Sequence, residues 1–590
     1  MPSKDQLSRQ SAPPATFYPR WLEVIFLLGL PPVIFLFFNP LSMNHENGLD
    51  PFFYTGYINN LEDLLRRLDL LYYAVRFGLI LPARFFTLTL GSIPGYFAFR
   101  YFLALTAGIP LYLVAKRFFS LPVAILAYLA LIASPWFWRT LLWDHPDASG
   151  MPFMMAALCL VLLDRAPSWW RDGLAGCCLS MAVNSNVFTG VIFGIFAIVY
   201  LAISLWMGTS WRVLLQRAYV LAAGFLLVLA AGYSYYWHFF GEPRNIFNST
   251  FNMANQLTHG GMAGYRTPGF AWVLEKLQVL VPVLLSLCCL VLMARRRPHF
   301  EAAVCVATGT GVISFLYVHQ FLMAGDTLQL IYYLSYALPG TFLLLLYLWQ
   351  EILTRYPGKA RVFLAVAVAA TLFPLLLITV GLSWYSEITP AVWAGIAGVT
   401  LVVLLLNRVH WASRELRATL SLAAVTLIAF SVSAGFRHNV YQLARPPGVR
   451  VDMAADVYRV ALQFIKECPK LSEGPGNLVF WYTSREGNPI NSIQSTYVWS
   501  NTRLNPPSDR GMPFLGDLQM ERLRNPQIRY LAILGETPQE VQDALAALTK
   551  VGAGYDLLST RDLHSGSVHV YWQLVELTTR PPQAKAATAN

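Results

Sequence analysis

The sequence predicts a polytopic α-helical membrane protein of about thirteen transmembrane helices, each needing ~20 apolar residues, with a C-terminal external α/β domain. Three observations predict it. Hydrophobic residues make up 56% of the 590 and charged residues 13%, about half the charge of a soluble domain, and the mean hydropathy is +0.47. Apolar runs of spanning length recur along most of the chain. Lys and Arg collect in alternate loops between those runs, as cytoplasmic loops should. In a soluble protein the net charge of +11 would point to nucleic acid. Here the basic residues read as topology signals, so membrane lipid is a partner and nucleic acid is not.

Residues 1–20 form a basic cytoplasmic N-terminus (Lys4, Arg9, Arg20) leading into the run Trp21–Phe38. A signal peptide would be followed by a small-x-small cleavage site. The residues that follow are Asn39-Pro40-Leu41-Ser42-Met43, so the run reads as a retained first helix. The transmembrane domain then covers 21–435, with spans near 21–38, 96–115, 121–142, 149–163, 173–188, 189–207, 219–239, 278–293, 302–323, 328–350, 362–383, 391–406 and 418–435. Asn184-Ser185-Asn186 interrupts this pattern, as either a short external turn or a broken helix.

One set of loops carries Lys116-Arg117, Arg165/Arg171, Arg212/Arg217, Arg295-Arg296-Arg297, Arg355/Lys359/Arg361 and Arg408/Arg414/Arg417. The short loops of the other set, at 143–148, 324–327 and 384–390, hold no Lys or Arg. Long external loops lie at 39–95 and 240–277. An odd number of spans places 436–578 outside, where the periodicity predicts a helix over Asp452–Lys466. Strands are predicted at Asn477–Thr483 and Tyr530–Leu534, and a helix over Pro538–Lys550 capped by Thr537. Ser567–Leu577 alternates like an exposed or edge strand. Residues 579–590 are Pro/Ala/Lys-rich, a composition of disordered tails.

Of the seven cysteines, only Cys468 lies in the polar tail, which excludes a disulfide framework there. No cysteine–histidine spacing fits a structural zinc site. No paired or inverted repeat is visible, which weakens a secondary-transporter reading.

The polar residues that could carry chemistry cluster at external ends of spans. Asp50, in Gly48-Leu49-Asp50-Pro51-Phe52-Phe53-Tyr54, follows the first span. It is either a solvated loop acid or a catalytic one. Asp144 and Asp147 flank His145 in Trp143-Asp144-His145-Pro146-Asp147. Ionisable groups at such depth are expensive unless paired or used. The two carboxylates, with Asp50, could hold a divalent metal such as Mg or Mn; alternatively Asp147 caps the next helix. The loop 240–277, with Asn245, Asn248, Asn252, Asn255, Gln256, His259, Tyr265 and Arg266, suits sugar hydroxyls and a closing lid, or is a plain polar connector.

Four stretches in order resemble the GT-C glycosyltransferases, in particular the bacterial branch of aminoarabinose transferases, protein O-mannosyltransferase-like enzymes and lipopolysaccharide sugar transferases. They are Gly48–Tyr54, Phe99–Ala107, Ser134–Arg139 leading to Asp144, and Tyr332–Pro339. The resemblance covers roughly 20–350. It implies transfer of a sugar from a polyprenyl-phosphate donor to a glycan, lipid or protein acceptor on the external face of a bacterial inner membrane. In that setting Asp50 acts as general base or orients the acceptor, and cations stabilise the leaving phosphate. Many relatives have Asp-Glu where this chain has Asp50-Pro51, and a basic residue before the tyrosine pair where it has Gly325–Gln329. Candidate phosphate ligands are therefore Arg66, Arg67, Arg84, Arg100, Arg139, Arg244 and Arg266. The donor-phosphate set is Arg100, Arg84, Arg139 and Tyr333, with headgroup snorkelling the alternative for Arg100. The substrate-facing set is Tyr54, His145, His259 and Arg266. Two other classes stay open: a lipid-linked-sugar flippase or transporter, with charges along mid-membrane, and a non-catalytic scaffold or sensor acting through 436–590.

Overall fold

The computed structural model of the chain describes residues 20–37, 73–142, 146–241, 279–295, 298–322, 335–355, 357–380, 478–481 and 523–582 (with short gaps), and single positions within 54–65, 460–467 and at 248 and 328. A helix stands at every apolar segment singled out between 21 and 383. In chain order these are α1 Arg20–Phe37, α2 Phe77–Leu90, α3 Ser92–Phe118, α4 Leu121–Ile132, α5 Pro135–Leu142 and α6 Asp147–Leu162. Then follow α7 Trp169–Ser185, α8 Phe188–Trp206, α9 Trp211–Phe240, α10 Leu280–Arg295, α11 Phe300–Phe321, α12 Ala337–Arg355 and α13 Ala360–Val380. The expected spans at 391–406 and 418–435 lie outside the described residues.

The expected thirteen spans are counted only over the described residues. Among the described residues five helices are long and apolar enough to cross a membrane, or six if the bent pair α4–α5 is one span. Several expected spans are simply short; α6 has 16 residues. The run at 121–142 is not one rod but two helices meeting at 55°. The cause is local: Pro135 lacks an N–H and disfavours helical geometry at the residue before it. Ser134 restarts the helix, its Oγ accepting from the Phe137 N–H at 3.4 Å. The Trp138 indole donates back to the Ile132 carbonyl freed by the break, at 2.6 Å. The interruption at Asn184–Asn186 is a turn between two helices, α7 ending at Ser185 and α8 starting at Phe188. The loop 39–95, expected only to be long, contains α2, which packs so closely on α7 that a Cβ at Gly78 would lie 2.0 Å from the Met181 carbonyl oxygen.

Side-chain contacts bring several of the Lys/Arg-rich loops to one end of the bundle. At the Lys/Arg-rich end, Lys116 of α3 pairs with Glu23 of α1 at 2.6 Å. Arg117 and Arg171 share Asp164 at 3.0 and 3.3 Å, and Arg165 grips Glu301 with two nitrogens at 2.8 and 3.0 Å. Arg217 of α9 pairs with the buried Asp172 of α7 at 2.7 Å and donates to the Val161 carbonyl at 2.8 Å. Trp21, Trp169, Trp170, Trp206 and Trp211 all stand exposed at this end, the placement of an interfacial aromatic belt.

The C-terminal region contains a four-stranded sheet of order β1-β2-β4-β3, made of Leu478–Trp481, Tyr530–Gly535, Val568–Thr579 and Gly554–Ser565 respectively. β1 and β2 are parallel, and the rest are antiparallel. α14, Pro538–Lys550, begins in a capping box of Thr537 and Glu540, as the Thr-x-x-Glu spacing predicts. Val460 and Phe464, expected on one helix face, are buried. One expectation is corrected. The strand over 567–577 is not an edge: β4 lies between β2 and β3, and Val570, Trp572, Gln573, Leu574 and Val575 are buried in succession, the run of a strand covered on both faces. The edge role falls to β3, whose polar Asp556, Ser559, Thr560, Arg561 and Asp562 hid it from the periodicity.

Candidate functional site

The end of the bundle opposite the paired arginines brings Leu142, Asp147 and Tyr336, at or beside the third and fourth stretches, close to one another and to α3. Asp147 is the first residue of α6, with Pro146 in the cap position. It is 1% exposed. Its Oδ1 accepts from Asn186 Nδ2 at 3.1 Å and from the Tyr336 hydroxyl. Asn186 comes from the α7–α8 turn, and Tyr336 from the turn before α12. A buried carboxylate must be hydrogen-bonded to be tolerated, and its seat at a helix N-terminus also favours negative charge. These two bonds run to other elements, so Asp147 ties α6 to the α7–α8 turn and to the segment before α12. Beneath it Ser149 and Ser185 are joined at 2.9 Å, and Tyr336 packs on Phe188 with ring centroids 5.2 Å apart.

Arg100 lies in the second turn of α3. It is 1% exposed, which rules out snorkelling to the headgroups. Its guanidinium sits over the Tyr96 ring at 4.2 Å and near Phe99 at 5.3 Å, and a desolvated arginine on an aromatic face is held by cation–π attraction. The Tyr96 hydroxyl donates to the Leu142 carbonyl at the end of α5, at 3.4 Å, so α3 just ahead of the second stretch meets the end of the third. Arg139 lies in α5, on the segment that the Pro135 break redirects.

Arg84, expected among the phosphate ligands, is already engaged. Nη1 donates to the Ile58 carbonyl at 3.1 Å and Nη2 pairs with Glu62. The other oxygen of Glu62 accepts from the Tyr235 hydroxyl of α9 at 2.7 Å. Burial alone would raise the Glu62 pKa, but the Tyr235 hydrogen bond, a backbone hydrogen bond and Arg84 outweigh it and hold it below the ordinary 4.5. Tyr54 is buried and meets Tyr73 edge-on at 5.3 Å.

Asp50, Asp144, His145, His259, Arg266 and Tyr333 lie outside the described residues. Asp147 is thus the member of the expected metal pair whose surroundings are described, and among the described residues no group of three or more His, Cys, Asp or Glu could hold a metal ion. Residues that the sequence reading passed over are Tyr336, Asn186, Glu62 and Tyr235. The first two stood inside quoted stretches, whereas nothing local marks Tyr235.

No protein-family model matches the chain, and no curated protein does. Among solved structures the chain is similar to ArnT from Cupriavidus metallidurans in the apo state, with 16% identity and a TM-score of 0.46 over 94% of this chain and 98% of that one. The same protein bound to undecaprenyl phosphate gives 15% and 0.46, over 95% and 98%. The archaeal oligosaccharyltransferase AglB from Archaeoglobus fulgidus, in complex with an inhibitory peptide and a dolichol-phosphate, gives 11% and 0.40, over 93% and 75%. The solved proteins that this chain is similar to are GT-C membrane glycosyltransferases, the family its four sequence stretches resemble.

Proposed function

We propose that the chain is a membrane glycosyltransferase that moves a sugar from a polyprenyl-phosphate-type lipid to an acceptor on the external face. The single observation that carries this reading is the Tyr336–Asp147 hydrogen bond. It ties the Tyr332–Pro339 stretch to the helix that follows Ser134–Asp144, while Tyr96, just ahead of Phe99–Ala107, ties α3 to the end of α5. Residues 189 apart are thereby assembled at one end of the bundle, where a lipid phosphate and a water-borne acceptor could meet.

In this reading Asp50 accepts the proton of the acceptor hydroxyl, or orients it, as its oxygen bonds the anomeric carbon and the bond from that carbon to the lipid phosphate breaks. Arg100, with Arg139 and Tyr333, offsets charge on the departing phosphate; Tyr54, His145, His259 and Arg266 face the sugar and acceptor. A divalent cation, Mg or Mn, would be held by Asp144 and Asp147 and supply Lewis-acid stabilisation of the phosphate. The N-terminus and the Lys/Arg-rich end are then cytoplasmic, and the sheet domain is periplasmic. A transporter would need charges along the middle of the bundle. Among the described residues the buried charges Arg100, Asp147, Arg171, Asp172, Arg217 and Glu301 stand in the first turns of their helices, and Arg76 immediately before one.

The test is purified protein in detergent with a panel of radiolabelled polyprenyl-phosphate sugars. Wild-type turnover that is lost in Asp50→Asn, with donor binding intact, supports the transferase. Equal turnover removes Asp50 from the chemistry, and lipid translocation in vesicles without sugar release would move the assignment to a flippase.

A further inference from the structure

The position that Glu62 and Arg84 occupy is not that of a solvated surface pair. At the described positions 54, 56–58, 61–62 and 65 the chain is helical. Tyr54, Tyr57, Ile58, Leu61 and Leu65 are all buried, at the i, i+3, i+4, i+7 spacing of one helix face. Ile58 and Glu62 are one turn apart, so a backbone carbonyl and a carboxylate present themselves to the same guanidinium. Arg84 takes both, one with each terminal nitrogen. The carboxylate is gripped on its second oxygen by Tyr235, and the neighbouring Tyr236 hydroxyl donates to the Ala74 carbonyl. α2, which carries Arg84, has no freedom of its own against α7, because of the close approach at Gly78. Three elements far apart in sequence thus converge on one carboxylate, 12 residues beyond Asp50.

We infer that Glu62 and Arg84 form a latch that fixes the Asp50-bearing segment onto α2 and α9, with Arg84 a positioning residue rather than a phosphate ligand. The inference rests on the transferase reading for its catalytic consequence, though not for its structural one. A planar guanidinium with two fixed partners is pre-organised in a way that lysine cannot copy. A carboxylate base displaced by 1 Å loses on the order of 10²-fold in rate.

The test compares wild type, Glu62→Gln, Arg84→Gln and the swap Glu62→Arg/Arg84→Glu, all as full-length protein in detergent. Amide hydrogen exchange is read over 54–65 and turnover is read with the polyprenyl-phosphate panel. The latch predicts faster exchange over 54–65 in both single variants and partial restoration in the swap. It also predicts a fall in kcat of roughly 10- to 100-fold with the donor KM within about twofold. Unchanged exchange in Glu62→Gln overturns the latch. A raised donor KM in Arg84→Gln, with Glu62→Gln indistinguishable from wild type, returns Arg84 to the phosphate. Should wild type turn over no donor, the transferase reading falls while the exchange result still decides the latch.

Discussion

The two ends of the helical bundle treat buried charge in opposite ways. At the Lys/Arg-rich end cations meet anions at several helix termini: Arg217 with Asp172, Arg165 with Glu301, Arg117 and Arg171 with Asp164. At the other end Asp147 takes hydrogen bonds from the neutral side chains of Asn186 and Tyr336, and Arg100 lies over aromatic rings. Oppositely charged pairs spend each charge on its partner and serve to dock helices. At the other end neutral amide, hydroxyl and aromatic groups share in holding the charges. The difference separates a structural end from a candidate chemical one.

The largest expected effect tests the structural end. Arg217→Met leaves Asp172 buried without its ion partner, and removal of one member of such a pair costs about 3–5 kcal/mol. Thermal unfolding in detergent should show that loss, with turnover per folded molecule unchanged. A variant as stable as wild type but inactive would reverse the assignment of the two ends.

Next comes the Asp147 end, where the pattern should invert. Asp147→Asn is expected to lower sugar transfer by roughly 10²-fold or more, the scale of a lost carboxylate in a reacting site. Its stability should change by less than that of Arg217→Met. Tyr336→Phe keeps the ring against Phe188 but removes one hydrogen bond to the carboxylate, worth about 1.5–3 kcal/mol, and should lose about tenfold in kcat. Asp147→Asn with full activity would leave Asp147 a purely structural carboxylate.

The smallest effect is in pH dependence, and it compares one acid from each end. Burial alone would raise the Asp164 pKa, but the Ala166 N–H, Arg117 and Arg171 hold it below the ordinary 3.8, as Tyr235 and Arg84 hold Glu62 below 4.5. A carboxylate lowered in the folded state contributes stability above its unfolded pKa and loses it as pH falls through the folded one. Thermal midpoints should therefore drop below pH 4.5 with a Glu62 component and below pH 3.8 with an Asp164 component. Glu62→Gln should flatten the first and Asp164→Asn the second. Midpoints that fall equally in all three proteins would show that these pairs are solvent-screened.

Helices at the apolar runs, the alternation of their ends and the capped helix at Thr537 were legible because each rests on neighbours within a few residues. Arg100 was legible for the same reason, as an arginine among aromatics near a helix start. The bend at Pro135 was equally local, yet the continuous apolar run around it concealed it. β3 and β4 were misjudged because alternation reports how many faces are covered, and that depends on which strand pairs outside.

The sequence by itself determined where helices run, which of their ends face the same way and that a small sheet follows, since hydrophobic periodicity and charge bias are properties of the chain as written. Only the tertiary structure decided that Asp147 rests on Tyr336 and that Arg84 is held by Glu62. It also made Tyr235, 173 residues from Glu62, part of the same contact. Such meetings depend on how helix ends pack in three dimensions, and a periodicity that repeats every few residues carries no record of them.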